Sequence, residues 1–124
     1  SGFFKNKNLN LKKKKVLILG VAYKKNINDT RESPAFEIIK ILKKKYRAYV
    51  EYHDPYVPYI KNLRNYDLNM RSIEITSKKI KKFDIVILIT NHDNLNYKLI
   101  EKHSKLIVDT RGQVNQGLSN VISL

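Results

Sequence analysis

The sequence predicts an α/β fold: a mostly parallel sheet with helices on both faces, in a single domain. Three observations carry this. Val16-Leu17-Ile18-Leu19 and Ile85-Val86-Ile87-Leu88-Ile89 are short, continuous apolar runs, the pattern of strands covered on both faces rather than half-exposed ones. Between them, Ser33 to Lys45 carries the start, stripe and stop signals of an amphipathic helix. Strands that alternate with helices build βαβ units, whose crossovers place helices on the sheet faces. The expected architecture is therefore Rossmann-like.

Each element has its own local reason. The first strand runs from Val16 to Leu19 and ends at Gly20, and Val21 to Glu32 is a polar loop. Ser33 is a good N-cap, and Pro34 suits the first helical position, where a missing N–H costs nothing. Ala35, Ile38, Ile39 and Leu42 form the apolar stripe, widened by Phe36 and Ile41, and Lys43 to Lys45 meet the negative end of the helix dipole. Ala48 to Tyr52 reads as a strand rich in β-formers, stopped by His53-Asp54-Pro55. Further along, the pattern predicts a short helix over Val57 to Asn65, a minor strand over Met70 to Ile75 and a short helix over Ser77 to Lys82. After the second apolar strand, Leu95 to His103 reads as a helix and Leu106 to Val108 as a strand ending at Asp109, with a weakly patterned tail from Gln113. Residues 1–14 read as a leader or linker, with Ser1-Gly2 as a tag scar, and residues 15–124 as the folded domain.

Composition narrows the function classes. The chain of 124 residues suits one core. It has no cysteine, which excludes disulfides, thiolate zinc sites and a thiol nucleophile within it, and agrees with a cytoplasmic setting. No apolar run approaches the ~20 residues that a bilayer span needs. The net charge of +14 comes from short lysine runs spread along the chain. It admits two readings: solvated lysines on helix faces and ends, or a basic surface for nucleic acid. His53, His92 and His103 fit no metal spacing, so no metal is expected; His53 and Asp54 read as turn-formers.

In parallel sheets, ligands bind beyond the carboxyl ends of the strands, where strand order reverses. The polar segments that follow strand ends are Gly20 to Arg31, Thr90 to Asn94 and Asp109 to Gln113. Gly20-Val21-Ala22-Tyr23-Lys24 stands where a dinucleotide fingerprint would, but Ala22 and Tyr23 fill positions that such a loop keeps as glycine. This loop should not hold NAD in the usual way. It offers an aromatic, Tyr23, and an ammonium, Lys24, suited to a phosphate or a sugar hydroxyl; equally, Lys24 can be a solvated loop lysine. Arg31, in Asp29-Thr30-Arg31-Glu32-Ser33-Pro34, either pairs with Glu32 at the surface or adds charge to an anion-binding helix start. Arg111 follows the last strong strand on the same side as Lys24, and two cations at one edge suit a diphosphate.

Taken in order, Leu19-Gly20-Val21-Ala22-Tyr23-Lys24, Asp29-Thr30-Arg31-Glu32-Ser33-Pro34-Ala35, Tyr52-His53-Asp54-Pro55-Tyr56-Val57-Pro58, Thr90-Asn91-His92 and Val108-Asp109-Thr110-Arg111 closely resemble the C-terminal UDP-binding domain of the UDP-glucose/GDP-mannose dehydrogenase family. The resemblance covers about Lys15 to Gln113, and the helix start and His-Asp-Pro turn look closest to the UDP-N-acetylhexosamine branch. It implies that Tyr23, Lys24 and Arg111 contact the nucleotide sugar and that Arg31 reaches NAD bound to another domain. The family oxidises a sugar C6 alcohol to a carboxylate with two NAD, through a cysteine thiolate. That cysteine, the catalytic lysine and the glycine-rich NAD loop belong to parts of the family's chain that precede this domain. The resemblance therefore implies no catalytic residue here, an inactive isolated chain, and the rest of a homo-oligomeric dehydrogenase as partner. Gly112 stands where the family often has asparagine. The alternatives are a basic nucleic-acid-binding domain and a non-catalytic interaction module; neither a membrane nor a nucleic acid is the expected partner.

Overall fold

The computed structural model describes residues 11–27, 30, 33–61, 68–114 and 117–123. In chain order its elements are β1 (Lys15–Leu19), α1 (Pro34–Lys44), β2 (Tyr49–His53), β3 (Tyr59–Ile60), β4 (Met70–Arg71), α2 (Ser77–Ile80), β5 (Ile85–Leu88), α3 (Tyr97–His103), β6 (Ile107–Asp109) and β7 (Val121–Ser123). Five strands form one sheet in the order β2-β1-β5-β6-β7, and every neighbouring pair in it is parallel. β3 and β4 form a separate antiparallel pair.

The two apolar runs become the two central strands because both of their faces are covered. Successive strand residues point to opposite sides. Val16 and Ile18 therefore enter one core with Ala35, Phe36, Ile39 and Leu42 of α1. Leu17 and Leu19 enter the other, with Ile80 of α2 and Ile100 of α3. Helices thus lie on both faces, as the alternation predicts. The start of α1 is built as its sequence implies: the Ser33 hydroxyl accepts from the Ala35 amide at 3.2 Å, with Pro34 in the first turn. Leu11, inside the segment read as a leader, is buried in the α1-side core. There Lys14 N donates to Leu11 O and Lys13 N to Arg47 O, both at 3.0 Å.

The helix expected over Val57 to Asn65 is not formed where it is described; residues 62–67 lie outside the described part. Tyr59 and Ile60 instead pair with Arg71 and Met70. Pro58 lacks the N–H that a helix interior needs, and its carbonyl accepts from Ser72 N at 2.9 Å, drawing the segment into extended pairing. The minor strand expected over Met70 to Ile75 shortens to β4. It continues only as a single parallel bridge from Ser72 to Tyr52, with Ile73 N donating to Tyr52 O at 2.9 Å. β7 lies in the tail that carries little pattern. Three residues are too few to show a period, and the strand is set by distant groups: Ile107 N donates to Asn120 O at 2.8 Å, and Asn120 Nδ2 to Ser104 O at 2.9 Å. Among the described residues, no helix is long and apolar enough to cross a membrane.

Candidate functional site

Parallel strands bring all their carboxyl ends to one edge. Strand order reverses at β1: the chain goes first to β2 on one side, then to β5 on the other. The crevice above β1 and β5 is the position where such sheets receive ligands. Here the two loops that flank it touch. Gly20 has φ +84°, and a Cβ on it would lie 2.4 Å from the Thr90 carbonyl oxygen. Thr90 Oγ1 donates to Ala22 O at 2.7 Å.

Below this contact sits a buried carboxylate. Asp54, the residue after β2, has its side chain 0 % exposed, as has His92, which comes four residues after β5 ends. Asp54 Oδ2 accepts from Val21 N at 2.8 Å, Ala22 N at 3.1 Å and His92 Nε2 at 2.9 Å. Asp54 Oδ1 accepts from Tyr56 N at 2.8 Å. On the far side of the imidazole, Nδ1 accepts from Asn26 N at 2.7 Å. A ring nitrogen that accepts carries no proton, so the hydrogen of the neutral ring is on Nε2, facing Asp54. Buried polar groups at this depth need such complete pairing, since an unmade bond costs more than a made one contributes.

The pairing decides what the crevice can bind. A dinucleotide loop turns the amides after its first strand toward a ligand's pyrophosphate. Here the amides of Val21 and Ala22 are taken by Asp54. The crevice floor is thus filled by a side-chain carboxyl group, and these two amides are not free for a ligand.

The rim holds three of the four expected site residues. Tyr23, at 45 % exposure, and Lys24 project from the loop after β1. Arg111 is exposed in the loop after β6. Its amide donates to Asp109 Oδ1 at 2.8 Å and its Nε to Ile89 O at 2.7 Å. The second bond draws the side chain from β6 over the end of β5, which lies between β6 and β1, and so toward the Tyr23–Lys24 loop. Buried Asp109 holds the turn from inside, its Oδ2 accepting from Val114 N at 2.9 Å. Arg31 falls outside the described residues.

Smaller contacts tie the loops together. Asn26, at φ +63°, donates through Nδ2 to Asp93 Oδ2 at 2.7 Å and accepts from Asp93 N at 2.9 Å. Asn26's hydrogen bond, and then the Lys25 charge 3.6 Å away, hold the Asp93 carboxyl below its usual range. Tyr97 donates to His92 O at 2.6 Å, and burial first, then the charges of Asp93 and Asp109, push its phenol up to about 12. His53 makes its hydrogen bond outside this cluster: its Nδ1 donates to Ile73 O at 2.6 Å, and burial lowers its pKa. Among the described residues, no group of three or more His, Asp or Glu side chains could hold a metal ion.

The sequence reading takes Asp54 as a turn-former and gives His92 no role of its own. The signal that could have found them is topological. Both follow the ends of strands that flank β1, so their side chains converge on the loop after β1.

Residues 17–116 match the family described as UDP-glucose/GDP-mannose dehydrogenase family, UDP binding domain. The chain belongs to this family. Within it, the chain is 31 % identical over 122 residues to the UDP-N-acetyl-D-mannosamine dehydrogenase of Methanococcus vannielii, covering 90 % of this chain and 26 % of that protein. It is 37 % identical over 82 residues to the UDP-glucose 6-dehydrogenase of Rickettsia felis, covering 64 % of this chain and 18 % of that one. Among solved structures, the UDP-N-acetyl-mannosamine dehydrogenase Cap5O of Staphylococcus aureus superposes with a TM-score of 0.63 at 28 % identity, over 94 % of this chain and 26 % of that one. The NDP-N-acetyl-D-galactosaminuronic acid dehydrogenase of Methanosarcina mazei shares the fold, with a TM-score of 0.72 at 19 % identity, over 99 % of this chain and 26 % of that one. The UDP binding domain seen here thus spans about a quarter of the length of these longer relatives.

Proposed function

We propose that this UDP binding domain holds the UDP part of a nucleotide sugar on the rim of the sheet, between Tyr23 and Lys24 on one side and Arg111 on the other. The observation that carries this is the pair of exposed cations at the carboxyl edge, above a crevice whose own amides are occupied. Lys24 supplies a compact point charge to a phosphate oxygen. Arg111, with Nε engaged at Ile89 O, keeps its terminal nitrogens for a second charge-assisted contact. Tyr23 offers a ring face to the uracil or the sugar.

The parent reaction, on this reading, is the oxidation of the C6 alcohol of a UDP-hexose or UDP-N-acetylhexosamine to a uronate by an NAD-dependent dehydrogenase in the cytoplasm. The N-acetylhexosamine substrate is supported by the long alignments with dehydrogenases named for UDP-N-acetyl-D-mannosamine. The loop after β1 does not fit NAD, because it lacks the glycines and its amides are spent on Asp54. NAD would be held chiefly by the remainder of a homo-oligomeric enzyme, with Arg31 reaching it. In that assembly this chain binds and orients the nucleotide; with no cysteine, it supplies no thiol nucleophile.

Calorimetric or NMR titration of the chain with UDP at moderate salt tests the reading. Half a cleft should bind weakly, with a Kd on the order of 0.1–1 mM. Binding that UDP does not displace, and that falls steeply with salt on duplex DNA, would favour a nucleic-acid partner instead.

A further inference from the structure

Tyr23, Lys24 and Lys25 form an exposed segment whose two ends are fastened to one buried pair. Before it, Val21 N and Ala22 N donate to Asp54; after it, Asn26 N donates to His92, and His92 donates to Asp54. We infer that the Asp54–His92 pair is a positioning device that clamps the loop bearing Tyr23 and Lys24; its bearing on UDP rests on the function proposed above.

The arrangement needs a group that accepts on one side and donates on the other, across the width of a ring. Neutral imidazole does both. An asparagine in its place can present an oxygen near the Nδ1 position and so hold Asn26 N. A glutamine can present its amide nitrogen near the Nε2 position and so hold Asp54. Neither spans the gap. Burial makes the clamp firm, because at 0 % exposure no water replaces a lost partner cheaply. Nothing polar in the segment between the fastened ends needs to be buried; Lys25 lies 3.6 Å from Asp93, and the side chains of Tyr23 and Lys24 remain available to a ligand. Order at the rim is thus supplied from beneath, without the nucleotide.

Amide hydrogen exchange of His92→Ala, His92→Asn and His92→Gln, each checked for its melting temperature, tests the clamp, with UDP titration run on the same samples. A backbone hydrogen bond lost locally should speed exchange at Asn26 by about tenfold. The expected pattern is faster exchange at Asn26 in His92→Ala and His92→Gln, recovery in His92→Asn, and unchanged exchange in the β5 core. A purely structural role would raise exchange throughout and track the melting temperature. If His92→Ala does not fold, the Asn and Gln variants carry the comparison. Equal Asn26 exchange in the Asn and Gln variants overturns the clamp. UDP affinity should follow Asn26 protection, falling about tenfold where it is lost. Affinity that ignores it overturns the link to the ligand. A parent chain that binds no UDP defeats the proposed function, while the exchange pattern still decides the clamp.

Discussion

A Cβ placed on Gly20 would lie 2.4 Å from the carbonyl oxygen of Thr90 and 2.5 Å from its Cβ. With φ at +84° as well, position 20 excludes a side chain twice over, by space and by backbone strain. Gly112 has φ +68° but nothing within 4 Å of an added Cβ. Gly112→Ala should therefore cost only the left-handed backbone term, ~1–2 kcal/mol. Gly20→Ala adds a collision with backbone, for a total of about 2–5 kcal/mol. Urea unfolding of both variants checks this; equal costs would mean that the loops after β1 and β5 can part freely.

The Thr90 contact also shows where sequence reading stops. Gly20 at a strand end, the Ser33-Pro34 helix start and the two apolar strands follow local rules, and the structure has them where those rules place them. The edge position of Lys24 and Arg111 is legible because residues after parallel strands must collect at one edge. The part played by Asp54 is not, since an aspartate before a proline is as good a turn residue as any. Its role depends on His92, 38 residues away, and periodicity carries no such information. The segment around Tyr59 misleads for a related reason: Val57 and Ile60 have helical spacing, but Pro58 O accepts from Ser72 N and Ile60 pairs with Met70, contacts that local spacing does not report.

His53 should make the fold acid-sensitive. Burial lowers its pKa in the folded state, against the helping bond to Ile73 O. The unfolded chain then binds the proton more readily, so stability is present above the ordinary histidine range, near 6.5, and is lost as pH falls through it toward the lower folded value. The urea midpoint of the chain should drop between about pH 7 and pH 5, around that ordinary value. His53→Asn can still donate to Ile73 O without titrating, and should flatten that slope. An unchanged slope would assign the acid sensitivity to other groups.

Mixed with NAD and any UDP-sugar, the chain alone should give no NADH absorbance. It has no cysteine, and its first loop keeps its amides for Asp54. Turnover that co-purifies with the chain through successive columns, and survives removal of contaminating enzyme, would overturn the division of labour proposed here.

The rim site makes the sharpest demand, because it assigns different ligands to different cations. Lys24→Ala removes a point charge that makes no fold contact named above. Charge-assisted bonds are worth ~1.5–3 kcal/mol, so UDP affinity should fall by roughly ten- to a hundredfold, with no change in the melting temperature. Arg111→Ala should weaken UDP similarly. It should also lower stability slightly, because Ile89 O loses the Nε donor 2.7 Å away. Arg111→Lys keeps the charge but has no Nε–H to anchor the side chain over β5, so it should recover only part of the affinity. Lys44, in the last turn of α1, lies at the far end of that helix from the rim, and its alanine variant should bind UDP within about twofold of the parent, since exposed charges beyond a Debye length are screened. Arg31→Ala should likewise leave UDP binding by the chain nearly intact, yet raise the KM for NAD when placed in a full-length dehydrogenase. Titration of the five variants against UDP separates these outcomes. If Lys24→Ala and Arg111→Ala bind as the parent does, the rim is not the nucleotide site. If Arg31→Ala instead loses UDP, Arg31 belongs with the substrate and not with NAD.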